Sequence, residues 1–192
     1  MAISSPYGAG GSRVAPALAE RLGVPFLDRP AGTEPEHEDG GGGLLSKLGS
    51  IGLAWGTPAG MELEDLVPGD ARRREIEAEL RRLQDQGGGV VLGRAAAVLL
   101  REDPRVLRVL LTGPPERRVE QAMAIEGIDR DAAARRLERT DRARLAYHQT
   151  LYCVDPRSPA LYHLIIDSTA IPLDDCVELI AAAAMSRSSR RR

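Results

Sequence analysis

A glycine-rich stretch near the start of the chain, residues 8–11 (Gly-Ala-Gly-Gly), has the clearest chemical meaning. It follows a short strand-like segment at residues 2–4 and precedes residues 12–22, where apolar side chains recur at a helical period. Glycine admits positive φ angles and lets the backbone approach a bound group closely. A strand, such a loop and a helix N-terminus in this order direct several N–H groups at one spot. The stretch therefore predicts a phosphate-binding loop.

The loop agrees in part with the P-loop pattern G-x-x-x-x-G-K-[ST], a signature of nucleoside triphosphate binding. Over residues 5–12, Ser5 stands at the first glycine, Gly10 at the second, Gly11 at the lysine and Ser12 at the metal-facing hydroxyl. Without the lysine the loop lacks a charge-assisted contact to phosphate of about 1.5–3 kcal/mol. Arg13, or an arginine of a lid, can supply that charge. The predicted phosphate-binding residues are Gly8, Ala9, Gly10, Gly11, Ser12 and Arg13, and Ser12 is the predicted metal ligand.

Two other interpretations of the loop stay open. A dinucleotide-binding fingerprint also begins with glycines between a strand and a helix, and Asp28 lies about where its ribose-binding carboxylate is expected. Its third glycine falls on Arg13, whose bulk opposes close packing of the helix on the strand. The second alternative is a tight strand-to-helix turn without a ligand. Asp28 is equally placed to polarise a metal-bound water, to order Arg29 or to cap a turn.

Strand-like and helical segments alternate along the whole chain. Strands are predicted at residues 2–4, 24–27, 90–92, 106–111 and 161–166. Helices are predicted at residues 12–22, 71–86, 95–101, 116–126, 129–150 and 173–185. This alternation predicts an α/β fold, a P-loop NTPase-like parallel five-stranded sheet with helices on both faces. Ligands of such sheets bind at the carboxyl ends of the strands.

The length of 192 residues suits one α/β domain, which we expect over residues 1–185. Residues 30–60, an acidic run followed by glycines, predict a flexible insertion that either packs over the core or covers a substrate. Residues 116–150 form a predicted helical lid region rich in arginine. Residues 186–192 are polar and basic and predict a disordered tail.

The overall composition excludes several classes of protein. A net charge of -2 gives no reason to expect a nucleic-acid partner. Cys153 and Cys176 lack the spacing of a zinc site or a disulfide framework. The N-terminus has no signal-peptide pattern, and no apolar run approaches the length of a membrane span. We therefore expect a cytoplasmic protein without membrane contact.

Arginines are concentrated where phosphoryl transfer would need them. That reaction requires positive charge around the transferred group and a closing element that excludes water. Arg94 directly follows a predicted strand, at the edge of the sheet where ligands bind. The lid region carries Arg117, Arg118, Arg135, Arg136, Arg139, Arg142 and Arg144. Some of these are equally typical of a solvated helix face paired with Asp131 and Glu138.

Several segments together resemble the cytidylate kinase-like family. Residues 3–11 (Ile-Ser-Ser-Pro-Tyr-Gly-Ala-Gly-Gly) and 18–29 (Leu-Ala-Glu-Arg-Leu-Gly-Val-Pro-Phe-Leu-Asp-Arg) are similar to the start of that family, which tends to have a Tyr-Gly-Ser-Gly-Gly loop without the usual lysine. Residues 91–95, 141–147 and 162–169 are similar to later family segments. The resemblance covers nearly the whole chain except residues 30–60.

The resemblance implies transfer of a phosphoryl group from ATP, with Mg²⁺, to a nucleoside monophosphate, CMP or dCMP. It implies that Arg94 holds the acceptor's phosphate and that Asp141 and Arg144 serve the acceptor and the lid. These three are the predicted catalytic residues. The expected partner is a small-molecule nucleotide, and the expected state is a monomer or homodimer.

Two departures from the family pattern keep other functions open. Leu92 stands where better characterised cytidylate kinases carry an acidic residue, and Ser5 and Gly11 stand where they carry a basic one. A nucleotide-binding regulatory module with little turnover is one alternative. A P-loop kinase for another small acceptor is the other.

Overall fold

The computed structural model describes residues 1–27 and 69–189. The predicted insertion at residues 30–60 lies outside the described residues, as do Asp28 and Arg29. The sheet has five strands, β1 (Ala2–Ser4), β2 (Phe26–Leu27), β3 (Val90–Leu92), β4 (Arg108–Thr112) and β5 (Leu164–Asp167). Their order is β2-β3-β1-β4-β5, and every neighbouring pair is parallel. The predicted parallel five-stranded sheet is confirmed.

The helices follow the predicted order with small shifts at their ends. They are α1 (Gly11–Leu22), α2 (Gly69–Asp85), α3 (Ala96–Leu99), α4 (Pro115–Glu126), α5 (Arg130–Tyr152) and α6 (Leu173–Ser189). A 3₁₀ turn at Pro159–Leu161 takes up the start of the segment predicted as the last strand, so β5 begins later. Helix α6 continues past Met185, because Arg187 donates a hydrogen bond to the Pro104 carbonyl (2.6 Å). The first residues of the predicted disordered tail are therefore helical.

Alternating strand residues bury their side chains on opposite faces of the sheet, as the two-residue period of a strand requires. Ile3 and Val109 pack with α1 and α6 in one buried cluster. Ala2 and Leu110 pack with α2 and α3 in a second cluster on the other face. Strand β1 is buried on both faces. It therefore gives the loop that follows it a rigid starting point.

Helices α4 and α5 form an antiparallel pair beside that loop. Gly127 ends α4 with a φ of 68° and donates its N–H to the Met123 carbonyl. Asp129 begins α5 by accepting the Ala132 N–H on its carboxylate (2.8 Å). A third buried cluster joins the two helices, and Tyr7 of the loop packs against it. The predicted lid region is thus in contact with the predicted phosphate loop.

Candidate functional site

The loop between β1 and α1 has the backbone that its glycines predict. Gly8 and Gly10 adopt left-handed φ angles of 73° and 72°, and Gly10 is the residue directly before α1. The Ala9 N–H donates to the Pro6 carbonyl (3.2 Å) and closes the turn. The first N–H groups of an α-helix lack a carbonyl one turn earlier; in α1 the N–H of Arg13 already donates to the Gly10 carbonyl (3.0 Å). The start of α1 and the loop therefore lie together at the carboxyl end of β1, where ligands of parallel sheets bind.

Three successive carbonyl oxygens of the loop accept hydrogen bonds from side chains outside it. Arg118 donates to Tyr7 (2.9 Å), Gln121 to Gly8 (3.0 Å) and Ser168 to Ala9 (2.8 Å). In a planar trans peptide the carbonyl and the following N–H point in opposite directions. The N–H groups that follow the Tyr7 and Ala9 carbonyls, those of Gly8 and Gly10, therefore point to the side of the loop opposite these donors. This side is electropositive and can accept an anion.

Glycine is required at three positions of the loop because its surroundings are tight. A Cβ added at Gly8 would lie 2.2 Å from the Arg118 carbonyl oxygen. At Gly10 it would lie 2.6 Å from Leu173 Cδ2, and at Gly11 2.5 Å from Ser5 Cβ. All three glycines are among the predicted phosphate-binding residues.

Ser12 and Arg13, in the first turn of α1, are exposed. Mg²⁺ in phosphate sites is commonly held by one or two protein ligands together with the substrate phosphates. A single hydroxyl at the helix N-terminus fits that requirement. Over residues 1–27 and 69–189 no group of three His, Cys, Asp or Glu residues could hold a metal ion. Ser12 as metal ligand and Arg13 as phosphate ligand stay predictions.

Arg94 follows β3 in a strained stretch of backbone. Gly93, Arg94 and Ala95 all have left-handed φ angles, 72°, 56° and 50°. A non-glycine residue in this conformation costs roughly 1–2 kcal/mol, and such strain concentrates at functional sites. The Arg94 side chain is 8% exposed and forms an ion pair with Glu79 of α2. Glu79 thus provides the carboxylate beside Arg94, while Leu92, where the family pattern has an acidic residue, is buried in the core.

Replacing Glu79 by glutamine should lower the free energy of unfolding by about 1–3 kcal/mol. The Arg94 guanidinium is buried, and its interaction with a neutral amide is weaker than with a carboxylate. Urea denaturation measures the change. Glu178→Gln is the matched control, because the pair between Glu178 and Arg21 is exposed and should contribute little. Equal midpoints for Glu79→Gln and the unchanged chain would contradict the prediction.

Arg144 and Asp141 project from α5 towards the loop, but they have different partners. Asp141 accepts two hydrogen bonds from Arg118 (2.7 and 3.2 Å). Arg144 donates to the hydroxyl of Ser4 at the end of β1 (2.6 Å), and Tyr162 lies 3.1 Å from the same oxygen. Burial lowers the pKa of Arg144. Within the described ranges no carboxylate lies at ion-pair distance from Arg144, although the nearby Asp141 carboxylate favours its charged form. The catalytic roles of Arg94, Asp141 and Arg144 stay predictions.

His148 packs below Arg144 and should make stability depend on pH. Its Nδ1 lies 2.8 Å from the Arg144 carbonyl, so this nitrogen carries the proton in the neutral ring. Burial lowers the pKa of His148 from 6.5 to about 4. Between these values the unfolded chain binds a proton and the folded chain does not. Stability should therefore fall as the pH drops from about 6.5 to about 4, by at most about 3 kcal/mol.

Chemical denaturation at a series of pH values measures this effect. His148→Asn keeps a hydrogen-bonding group but removes the titration, so its stability curve should be flatter over the same pH range. A His163→Asn variant is the comparison: burial, Arg108 and Arg187 also lower the pKa of His163, but less strongly, so its removal should flatten the curve less than His148→Asn does. A curve for His148→Asn as steep as that of the unchanged chain would rule out His148 as the cause.

The remaining arginines of the lid region divide into paired and exposed ones. Arg136 bonds to Glu126 (2.6 Å), which also accepts the Tyr7 hydroxyl (2.8 Å). Burial and the Glu126 carboxylate raise the pKa of Tyr7 to about 12. The arginines exposed to solvent are Arg117, Arg130, Arg135, Arg139 and Arg142, of which Arg130 also pairs with Glu120 (3.0 Å). The exposure of Arg135 and Arg139 agrees with the solvated-face interpretation, whereas Arg136 pairs with Glu126 instead of Glu138.

Sequence reasoning did not find four residues that support the site. They are Ser4, Glu79, Gln121 and Tyr162. Ser4 and Tyr162 lie in family-like segments, but no sequence pattern assigns any of the four a role, because each acts through a contact with another element. The turn after β5 was foreseen in part: Asp167 accepts the Thr169 N–H (3.0 Å) and hydroxyl (2.6 Å), as a turn cap does. The bond from Ser168 to the loop was not foreseen.

The parallel sheet and the glycine loop between β1 and α1 define a P-loop NTPase-like α/β fold. Two solved structures share this fold. One is a protein of uncharacterised function from Eubacterium ventriosum, with a TM-score of 0.69 and 19% identity over 96% of this chain and 97% of that one. The other is a gluconokinase from Sinorhizobium meliloti, with a TM-score of 0.55 and 23% identity over 99% and 93%. No helix in the described part of the chain has the length and apolar character to cross a membrane.

Comparison with known sequences then identifies the family. The family model of the cytidylate kinase-like family matches residues 59–170, more than half of the chain. A cytidylate kinase from Methanopyrus kandleri is 29% identical over 136 residues, 65% of this chain and 70% of the relative. A cytidylate kinase from Aeropyrum pernix is 27% identical over 190 residues, 96% and 98% of the two chains. The chain belongs to the cytidylate kinase-like family.

Proposed function

We propose that the chain is an ATP-dependent nucleoside monophosphate kinase that transfers the γ-phosphoryl group of ATP to a pyrimidine nucleotide, CMP or dCMP. The observation that carries the proposal is the loop after β1, whose carbonyls accept three side-chain hydrogen bonds and which begins beside the Arg144 guanidinium at Ser4. Two diverged cytidylate kinases that align with most of this chain support a nucleotide acceptor.

The loop and the N-terminus of α1 would bind the phosphates of ATP through backbone N–H groups. Mg²⁺, when bound, offsets part of the phosphate charge, and Ser12 is the residue we assign to it. The loop has no lysine, so another cation must approach it. Arg144 reaches Ser4 at the start of the loop, whereas Arg13 is exposed on α1. The geometry therefore favours Arg144 as the substitute.

Arg94 would hold the phosphate of the acceptor. It follows β3, the direct neighbour of β1, so its backbone lies at the same edge of the sheet as the loop. Its buried pair with Glu79 restricts the guanidinium to one orientation. Phosphoryl transfer depends mainly on positioning and on electrostatic stabilisation of the transferred group. Arg94 and Arg144 would supply the positioning and the positive charge.

An ADP-release assay with ATP, Mg²⁺ and a panel of CMP, dCMP, UMP, AMP and GMP tests the proposal. We expect release that depends on CMP or dCMP and that Gly10→Val abolishes. Gly10→Val is a suitable inactive control, because even a Cβ at Gly10 would contact Leu173 at 2.6 Å. Binding of ATP without release for any nucleotide would contradict the kinase. Release only with AMP or GMP would contradict the pyrimidine assignment.

A further inference from the structure

We infer that Gln121 and Ser168, together with Arg118, are positioning residues of the phosphate loop that set its affinity for nucleotide phosphates. The inference rests on the proposed function only in taking this loop as the phosphate site. Gln121 and Arg118 come from α4, and Ser168 comes from the turn after β5. Three side chains from two distant segments thus hold three consecutive carbonyls of one loop.

The three hydrogen bonds help to fix the direction of three peptide groups next to glycine, one of which, between Gly8 and Ala9, is also held by the bond from the Ala9 N–H to the Pro6 carbonyl. A glycine-rich loop can rotate a peptide so that its carbonyl, and not its N–H, faces the ligand. A carbonyl facing a phosphate repels it. Each side-chain donor opposes this rotation, because rotation would break its hydrogen bond to the loop carbonyl. The loop is therefore preorganised for an anion before the anion binds.

Ser168 and Arg118 are buried, and Gln121 is half-buried against the loop. Ser168 is 1% exposed, and its hydroxyl lies between the carbonyl oxygens of Ala9 (2.8 Å) and Thr112 (3.2 Å). The Gln121 amide nitrogen would lie 3.1 Å from a Cβ at Gly10, so it packs under two glycines of the loop. Gly11 stands where the P-loop pattern has a lysine, so more of the affinity for phosphate must come from backbone N–H groups. The preorganised loop compensates in part for the missing lysine.

Gln121→Met tests the inference, because methionine has a similar length and no N–H donor. Isothermal titration calorimetry with ADP, and separately with inorganic pyrophosphate, measures affinity without an acceptor. We expect binding of both to weaken about five- to tenfold, the net value of about one hydrogen bond. In a transfer assay the KM for ATP should rise while kcat and the KM for the acceptor change little, since ground-state and transition-state binding are lost equally.

Two further variants define the controls. Gln149→Met makes the same exchange at an exposed position of α5 and should bind ADP like the unchanged chain. Ser168→Ala removes a single oxygen, so it should fold even if Gln121→Met does not. It should weaken the binding of ADP and of pyrophosphate as Gln121→Met does. Thermal unfolding without nucleotide checks that each variant is folded at the assay temperature.

The outcomes separate this inference from the proposed function. If the unchanged chain binds ADP but transfers no phosphoryl group, the kinase is contradicted and the calorimetry still tests the positioning role. If folded Gln121→Met and Ser168→Ala bind ADP and pyrophosphate as tightly as the unchanged chain, the positioning role is wrong. If the unchanged chain binds neither compound, the loop is not a phosphate site and the inference is overturned.

Discussion

Gly8→Ala is expected to weaken the binding of ADP about 100-fold. Gly8 has a φ of 73°, and a Cβ there would lie 2.2 Å from the carbonyl oxygen of Arg118. That oxygen belongs to the backbone of α4, so the loop and not the helix has to move. Movement of the loop would misalign at least two N–H groups that face the anion. Charge-assisted hydrogen bonds contribute about 1.5–3 kcal/mol each, which gives a loss of this size.

Gly23→Ala is the matched control for this experiment. Gly23 ends α1 with a φ of 62°, and a Cβ there would have no neighbour within 4 Å. Both variants therefore carry the backbone strain of alanine at positive φ, roughly 1–2 kcal/mol, but only one displaces the loop. Calorimetry with ADP compares them directly. Equal loss of affinity in both variants would show that general destabilisation, and not the loop, is responsible.

The fold could be predicted from the sequence because its signals are local. Residues 90–92 form an apolar run after glycines, and β3 has the predicted bounds. Helix α1 ends at Leu22 because Gly23 supplies the left-handed residue that helix ends favour. The predicted bounds of β5 and α6 are wrong because contacts with distant residues determine them. Pro159 starts a 3₁₀ turn before β5, and Arg187 extends α6 by bonding to Pro104.

The candidate site also has one part that the sequence predicts and one part that it does not. Its glycines are contiguous, and their backbone requirement can be recognised without a structure. The donors behind them cannot, because Gln121 lies 113 residues from Gly8, and Ser168 lies 159 residues from Ala9. A glutamine on an amphipathic helix has no feature that distinguishes it from a solvent-exposed one. Only the packing of α4 against the loop identifies its role.

Arg118→Met is expected to lower the free energy of unfolding by about 3 kcal/mol. Arg118 is 5% exposed, and its guanidinium binds Asp141 and the carbonyl oxygens of Tyr7 and Gly113. Removing it leaves a carboxylate and two carbonyls without this donor, and breaking a buried pair from one side costs several kcal/mol. Urea denaturation measures the loss. Arg117→Met is the control, because Arg117 is exposed and 4.0 Å from Asp167, and it should change stability by about 0.5 kcal/mol or less.

A double-mutant cycle with Asp141→Asn identifies the part of this loss that belongs to the ion pair. In Asp141→Asn alone, the buried guanidinium keeps its carbonyl partners but loses the charge opposite it. In the double variant neither charge remains, so its destabilisation should be smaller than the sum of the two single losses by about 1–3 kcal/mol. Additive losses would contradict an energetic link between α5 and the loop through Arg118. A coupling of the expected size would show that Asp141 on α5 stabilises Arg118, the same side chain that donates to the Tyr7 carbonyl of the phosphate loop, so that the position of α5 and the shape of the loop depend on one guanidinium.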